Sequence, residues 1–417
     1  MLDVKTLNLL KEEYAKVIVK VGLNIQKGAI VRFSATLDDI DFNRMIVKQC
    51  YLNHAKRVLI EYQDEQMNRI HYLYGDKDEL SKVYDFQINR AKFELKNKVY
   101  NLHALTNDFE VMNGVNIKKV SEIIQSRQKC LMPFNAEFIF NCHWSCFALP
   151  SVSWAKKLFP HLKVEEGINK LWELIFKCCY IKKSNSVENF SKHVDELRKR
   201  ANYLTSLNIK SLHYTNKLGT DLKINIIKGA KFIGGPHFIS DTNFFVPNIP
   251  TEEIFTSPNY KGTNGIVYAS KPVVIDGTLI KDFYFVFKNG KIVKVKAKEN
   301  EKKLLQVVNT DIGSHYLGEA AFVPFSSQVN QTNTLFYDSL YDENAVSHLA
   351  FGTGFPIVLD RKLKKDAHKL GVNKSNTHID FMVGTKDLNI VATTFDNKNI
   401  TIFKNGTWDK DLFKNIK

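Results

Sequence analysis

The chain has 417 residues, 44% of them apolar and 12% aromatic, which is typical of a globular protein with a large buried core. Its length exceeds what one simple core accommodates and predicts two domains. The formal net charge of +15 suggests affinity for nucleic acids, but the basic residues are interspersed with apolar ones, and the sequence has no RGG tract, zinc-finger spacing or long basic tail. We therefore expect no nucleic-acid partner.

No segment has the character of a membrane anchor. The first five residues mix charges and lack the apolar core of a signal peptide. The least polar stretch, residues 138–149, is interrupted by Asn141, His143 and Ser145, so it is too short and too polar to span a bilayer. We expect a cytoplasmic protein without a membrane partner.

Residues 1–210 alternate strand and helix signals. Residues 29–33 and 57–62 are predicted strands, and apolar residues at helical spacing predict a helix over 41–55 between them. This order is typical of a parallel α/β unit. Amphipathic helices are predicted over 169–180 and 187–207. A nucleotide role lacks its usual phosphate cradle, because neither G-x-G-x-x-G nor a P-loop occurs.

All six cysteines lie in the first 180 residues. Cys142 and Cys146 flank His143 at a spacing superficially like that of a zinc site, but their neighbours are largely aromatic. We predict free buried thiols there. Any metal bound by the second half must then be held by oxygen and nitrogen ligands.

Residues 211–417 have the pattern of strands and turns. Asn289-Gly290 separates two apolar-rich runs, which predicts a β-hairpin, and Asn405-Gly406 forms a second such turn. The predicted fold is therefore an α/β N-terminal domain over 1–210 plus a β-rich α+β C-terminal domain over 211–417.

Several carboxylate and imidazole side chains of the second half are candidates for a site with two metal ions, since these are the ligand types that hydrolytic metal pairs use. His378 and Asp380 precede an apolar run and, on a strand, would project from one face. The other candidates are Glu253, Glu319 and His348.

Each candidate also has a structural interpretation. Glu253 follows Thr251 and Glu252, where a helix cap would favour acidic residues. His348 enters an apolar run and suits a buried core histidine. Glu319 lies in an apolar stretch, where a buried charge needs a partner or a metal.

Five segments of the second half resemble the thermophilic aminopeptidases of peptidase family M29, in the same order and at similar intervals. They are residues 219–222, 248–256, 317–319, 342–348 and 371–382. The first half is also similar, around Gly28, Trp154 and Trp172, so the resemblance covers nearly the whole chain.

The resemblance implies a metal-dependent aminopeptidase that acts on peptides with a free N-terminus, as a homodimer with two divalent ions, zinc or cobalt. It implies a catalytic C-terminal domain with Glu253, Glu319, His348, His378 and Asp380 as ligands. The choice of Glu253 over Glu252 rests on interval matching alone. Either Glu319 or Glu253 is the implied proton carrier.

The chain departs from the family at Phe355, where a tyrosine is usual. A phenyl ring donates no hydrogen bond, so Tyr341 fills that role or turnover is reduced. Two alternatives to an active enzyme follow. One is a metal-binding homologue with reduced or lost catalysis, and the other is a basic nucleic-acid-binding protein.

Overall fold

A computed structural model describes residues 1–240 and 242–414, apart from the side chain of residue 136. The chain forms two compact units. The first comprises Met1–Lys192 and Pro236–Pro250, and the second comprises His193–Gly235 and Thr251–Lys417. The units thus change within a helix before the predicted boundary at residue 210, and a short later segment returns to the first unit.

Helices are concentrated in the first half of the chain. In chain order they are α1 Val4–Val17, α2 Ile40–Leu52, α3 Glu65–Tyr74, α4 Lys77–Ser81, α5 Asp85–Lys96, α6 Ile117–Asn141, α7 Val152–Leu158, α8 Val164–Cys178, α9 Ser186–Ser206, α10 Glu301–Val308, α11 Ser339–Asp342 and α12 Ala367–Leu370. Within the described ranges, no helix combines the length and the apolar composition needed to cross a membrane.

Strands dominate the second half. They are β1 Ile30–Thr36, β2 Arg57–Gln63, β3 Tyr100–Leu105, β4 Trp144–Ala148, β5 Ile209–Thr215, β6 Asp221–Ile226, β7 Ile233–Gly234, β8 His237–Phe238, β9 Phe244–Phe245, β10 Asn248–Ile249, β11 Ile254–Thr256, β12 Pro258–Tyr268, β13 Val273–Ile275, β14 Thr278–Lys288, β15 Lys291–Glu299, β16 Leu317–Phe322, β17 His348–Gly352, β18 His378–Met382, β19 Asn389–Thr394, β20 Asn399–Lys404 and β21 Thr407–Trp408.

The first unit is built on a parallel sheet, which confirms the predicted α/β class. The strand order is β10-β4-β3-β1-β2. The predicted strand–helix–strand unit corresponds to β1, α2 and β2. Tyr14, Phe42, Phe147 and Trp172 are fully buried and pack ring against ring in this core.

The second unit packs two sheets together. One has nine strands, ordered β13-β14-β12-β6-β5-β19-β20-β21 with β15 paired to β14, and includes the predicted hairpin with positive φ at Asn289 and Gly290. The other has the order β18-β17-β16-β11-β7. Phe285 of the first sheet contacts Phe351 and Phe381 of the second, with ring centroids 5.6 and 5.0 Å apart. Their contact forms the core of this unit.

A β-bulge in β16 decides which side chains face that core. Leu317 is opposite Phe351, whereas Glu319 is opposite Ala350, so the register shifts at Gly318. In a regular strand Leu317 and Glu319 would share a face. The bulge instead leaves Leu317 in the hydrophobic core and turns Glu319 to the other face.

Gly318 allows the bulge to pack against the end of β17, because a Cβ there would lie 2.5 Å from the carbonyl oxygen of Gly352 and 2.1 Å from that of Thr353. Gly318→Ala should therefore lower the free energy of unfolding by about 2 kcal/mol or more. Gly277→Ala is the matched control, since its Cβ would meet nothing within 4 Å and only its φ of +75° is unfavourable, at about 1–2 kcal/mol. Urea denaturation measures both losses, and Gly318→Ala should show the larger loss in the free energy of unfolding. Equal losses in both variants would contradict the steric account.

Candidate metal centre

The register of three antiparallel strands brings two carboxylates to one face of the smaller sheet. Glu319 of β16 is opposite Ala350 of β17, and Ala350 is opposite Asp380 of β18. Directly opposite residues share a face, so the two carboxylates flank a methyl group. A larger residue at position 350 would fill the space over which they converge.

Two histidines lie on the same face. His348 is two residues before Ala350 in β17, and His378 is two residues before Asp380 in β18. His348 is opposite Ala321, and His378 is opposite Gly352. Ala321 and Gly352 are small, whereas Met382 of β18 is opposite His348 on its other side. As predicted, His378 and Asp380 project from one face of a strand.

Glu253 reaches this face from the residue before β11. Its Oε2 lies 3.3 Å from Nε2 of His348. Glu252 faces other partners, since its Oε1 accepts a hydrogen bond from the backbone N–H of Gln328 at 3.1 Å and its own N–H donates to Oδ1 of Asn344 at 2.7 Å. The geometry therefore places Glu253, and not Glu252, beside His348.

The five side chains predicted from the sequence form two overlapping groups. In each group, ligand atoms lie within 4.8 Å of one another: Glu253, Glu319 and His348 in one, Glu319, His378 and Asp380 in the other. Nε2 of His378 lies 3.1 Å from Oε2 of Glu319 and 3.4 Å from Oδ1 of Asp380. Glu319 belongs to both groups and connects them.

The surroundings fix the orientation of His378. Its Nδ1 lies 2.8 Å from the carbonyl oxygen of Thr353. A carbonyl oxygen only accepts, so Nδ1 carries the proton and Nε2 is presented to the carboxylates. His348 is 1% exposed and its Nδ1 has no hydrogen-bond partner.

The electrostatic field of the cluster is strongly negative. Burial by itself lowers the pKa of His348, but the hydrogen bond and charge of Glu253 outweigh burial and raise this pKa to about 10. Burial likewise opposes ionisation of His378, yet hydrogen bonds to Asp380 and Glu319 raise its pKa to about 12. Both imidazoles are therefore held in the charged form when no other cation is present.

The carboxylates respond in opposite directions. Burial raises the pKa of Glu319 to about 7, against the lowering effect of its hydrogen bond to His378. Burial also disfavours ionised Asp380, but the hydrogen bond and charge of His378 lower its pKa overall. The histidine thus stabilises one charged carboxylate more than the other.

Glu343 is a neighbour of the cluster that sequence reasoning did not select. Burial of its carboxyl group, followed by the charges of Glu253 and Asp380, raises its pKa well above the usual value. It directly follows α11. The sequence contained a signal, because Glu343 lies in the motif segment before His348, but no periodicity showed that it faces the site. Its neighbour Asp342 instead accepts backbone hydrogen bonds from Phe336 and Asp338.

Two aromatic residues named from the sequence occupy different positions. The ring of Phe355 lies 5.0 Å from the imidazole of His378 and 5.3 Å from the ring of Phe255. It therefore lies directly beside the cluster. Tyr341 is fully buried and stacks on Phe336 at 4.7 Å. Its suggested replacement of the family tyrosine stays a prediction.

The zinc-like spacing in the first half forms no such group. Both cysteines are free thiols, as predicted. Cys142 is buried, whereas Cys146 is only half-buried. His143 stacks on Tyr100 at 4.1 Å and points Nδ1 at the carbonyl oxygen of Leu23. Among the described residues, only the two groups around Glu319 bring three such ligands together.

The donor set fits divalent metal ions. Imidazole nitrogens and carboxylate oxygens are ligands that zinc and other first-row divalent ions accept. Glu253 and Asp380 each belong to a group with Glu319, and Glu343 lies nearby. These carboxylates need positive charge, which two imidazoles supply only by remaining protonated. A metal ion supplies that charge and frees the imidazoles to act as ligands.

Comparisons with known proteins agree over nearly the whole chain. Residues 8–408 match the model of the thermophilic metalloprotease (M29) family. The chain is 34% identical to aminopeptidase AmpS of Bacillus subtilis, covering 95% of this chain and 97% of the relative, and 34% identical to aminopeptidase 2 of Geobacillus stearothermophilus, covering 96% and 98%. The solved structure of wild-type AmpT from Thermus thermophilus aligns with a TM-score of 0.89 at 28% identity, over 96% of this chain and 99% of that one.

The raised pKa values of the histidines predict that metal binding releases protons. Metal ligation requires neutral imidazole, whereas both rings are charged in the metal-free chain at neutral pH. Loading at pH 7 should release at least two protons, and affinity should rise with pH because the solution remains below pKa values of about 10 and about 12. Calorimetry in buffers of different ionisation enthalpy measures the release. His378→Ala should release one proton fewer, and heats that do not depend on the buffer would contradict the assignment.

Proposed function

This chain belongs to the M29 family of thermophilic metalloproteases, and from that membership we infer that it is a metal-dependent aminopeptidase. Its substrates are peptides with a free N-terminus, from which it removes the terminal residue. The observation that carries the proposal is the pair of overlapping carboxylate–imidazole groups that share Glu319. The same membership favours a hydrolase over the alternative of a nucleic-acid-binding protein.

We propose that the two groups hold two divalent ions, zinc or cobalt. Glu253 and His348 would hold one ion, His378 and Asp380 the other, and Glu319 would serve both. Divalent ions bound in this way lower the pKa of water to near neutrality and polarise the scissile carbonyl group.

The protein's own groups orient the site and move the proton. The Thr353 carbonyl keeps Nε2 of His378 directed at the carboxylates. Glu319 is engaged by both groups, which makes it a poor choice as proton carrier. Glu343 belongs to neither group, yet the charges of Glu253 and Asp380 raise the pKa of its carboxyl group. We therefore assign proton transfer to the leaving amine to Glu343, ahead of the sequence-based candidates Glu319 and Glu253.

Finer properties follow as proposals. A homodimer is supported by the edge strand β2, where Leu59, Ile60 and Tyr62 are 37%, 43% and 51% exposed, since exposed apolar edges are usually covered by a partner. Light scattering of the purified chain tests the dimer, and a monomeric mass would contradict it.

A cytoplasmic location is supported by six free cysteines, which suit a reducing compartment. Fractionation with a compartment marker tests that location.

His378→Ala should abolish peptidase activity while the fold is retained, because the hydrophobic core lies on the other face of the sheet. Substitution of residues that only contact the metal ligands typically lowers metal affinity or activity by about tenfold or more, and loss of a ligand should lower it further. The matched control is His213→Ala, since His213 is a half-exposed strand histidine of the same unit. Near-normal turnover of metal-supplied His378→Ala would overturn the ligand assignment.

Glu343→Gln should also lose turnover, but this variant should keep its metal, as measured by elemental analysis.

Reduced catalysis is the second candidate function, favoured by the phenyl ring of Phe355 beside His378. A phenol there would add a donor beside the site, and one donor aimed at a developing oxyanion contributes up to about 2.7–4 kcal/mol. Phe355→Tyr should therefore raise kcat, by up to about 100- to 1000-fold, with little change in KM.

Phe355→Leu serves as control, because it removes the ring without adding a donor and should give no gain. Steady-state kinetics on a short peptide decides between these outcomes. An unchanged kcat in folded, metal-loaded Phe355→Tyr would show that the ring only packs against Phe255 and His378.

A further inference from the structure

The first unit contains a cavity of about 1080 Å³ that the proposed chemistry does not use. It lies at the carboxyl ends of the parallel strands β1, β2 and β3, and all its lining residues belong to this unit. Its volume is just above the usual range for ligand sites, about 300–1,000 Å³.

The cavity coincides with the topological switch point of the sheet. From β1 the chain moves outward to β2, then crosses back to place β3 on the other side of β1. The loops after β1 and β3 therefore diverge and leave a crevice, which is where open α/β sheets bind ligands. Leu37 and Asp38 line it after β1, and Thr106 and Asp108 line it after β3.

An anionic ligand does not suit this crevice. Two of the helices that begin here are capped by their own carboxylates, since Asp39 accepts the N–H of Phe42 in α2 and Asp64 accepts the N–H of Gln66 in α3. Ser151 caps α7 in the same way. Each helix N-terminus therefore has a side-chain oxygen at its first turn, where a phosphate would otherwise bind.

The charge of the lining favours a cation. It includes three basic side chains, Arg32, Lys156 and Lys157, of which Arg32 is already paired with Glu61 and Glu94. Against these stand six carboxylates: Asp38, Glu61, Asp64, Glu65, Asp108 and Glu110. The excess of negative charge occurs in a chain whose net charge is +15.

Two threonine hydroxyls orient one of the lining carboxylates. Thr36 is 5% exposed and lines the cavity together with Thr106. Partial burial raises the pKa of the Asp38 carboxyl group, and hydrogen bonds with the hydroxyls of Thr106 and Thr36 lower it in part. The carboxylate of Asp38 is therefore held at the cavity by its neighbours.

A single metal ion does not match the lining. Among the described residues, no three lining carboxylates or histidines bring ligand atoms within 4.8 Å of one another. The positive charges of a ligand must therefore be separated from one another. Leu37 and Leu105 are 49% and 37% exposed, and with Phe109 and Val152 they offer apolar surface for an aliphatic stem.

We propose that this cavity binds an extended organic cation with two or more ammonium or guanidinium groups on an aliphatic chain. This chemistry occurs both in free polyamines and in short peptides rich in lysine or arginine. The ammonium groups would pair with the carboxylates of the two switch-point loops, and the methylene groups would lie on the leucine side chains.

Isothermal titration calorimetry on the full-length chain tests the proposal with two probes, spermidine and Nα-acetyl-Lys-Lys-Lys-amide. The acetylated peptide has no free N-terminus for the aminopeptidase site, so its binding does not depend on the proposed function. Both probes are titrated at low salt and at about 0.15 M salt. Saturation by spermidine alone identifies a polyamine site, and saturation by the peptide alone or by both probes identifies a basic-peptide site.

The double variant Asp38→Asn, Glu110→Gln removes two lining charges without touching a helix cap, and it should weaken binding about fivefold or more. The control Glu12→Gln, Asp78→Asn makes the same charge change on exposed residues outside the cavity, and it should change affinity less than about twofold. If the first variant unfolds, Glu65→Gln replaces it. The absence of saturable binding of either probe, equal weakening by both double variants, or binding of tripolyphosphate instead would overturn the proposal.

Discussion

The second unit depends on one electrostatic constraint, the concentration of carboxylates on one face of three adjacent strands. Glu319, Asp380 and Glu253 converge there with two imidazoles, mostly away from water. Like charges in such a place are unfavourable unless cations offset them. Protonation of His348 and His378 offsets part of the charge, which explains their raised pKa values, and divalent ions offset it more fully.

A backbone bulge and a small side chain make this face possible. The bulge at Gly318 directs Glu319 away from the hydrophobic core, and Ala350 leaves the space between Glu319 and Asp380 open. Leu317 and Phe351 remain on the opposite face, where they pack in the core. The same three strands thus serve as one wall of the core and as the base of the site, so ligand substitutions need not unfold the chain.

Local patterns in the sequence predicted much of this arrangement. The alternation at 378–380 placed His378 and Asp380 on one face, and Asn289-Gly290 located the hairpin, because both depend on neighbouring residues only. Other features depend on contacts between distant segments. They are the bulge, the choice of Glu253 over Glu252, the proximity of Glu343 and the change of unit within α9. No residue pattern within a single segment encodes them.

Anomalous diffraction from crystals of the metal-loaded chain, recorded at the absorption edges of zinc and cobalt, tests the central claim most directly. Two peaks are expected. One should be bounded by Glu253, Glu319 and His348, and the other by Glu319, His378 and Asp380. A single peak, or ions bound away from these side chains, would contradict a two-metal site organised around Glu319.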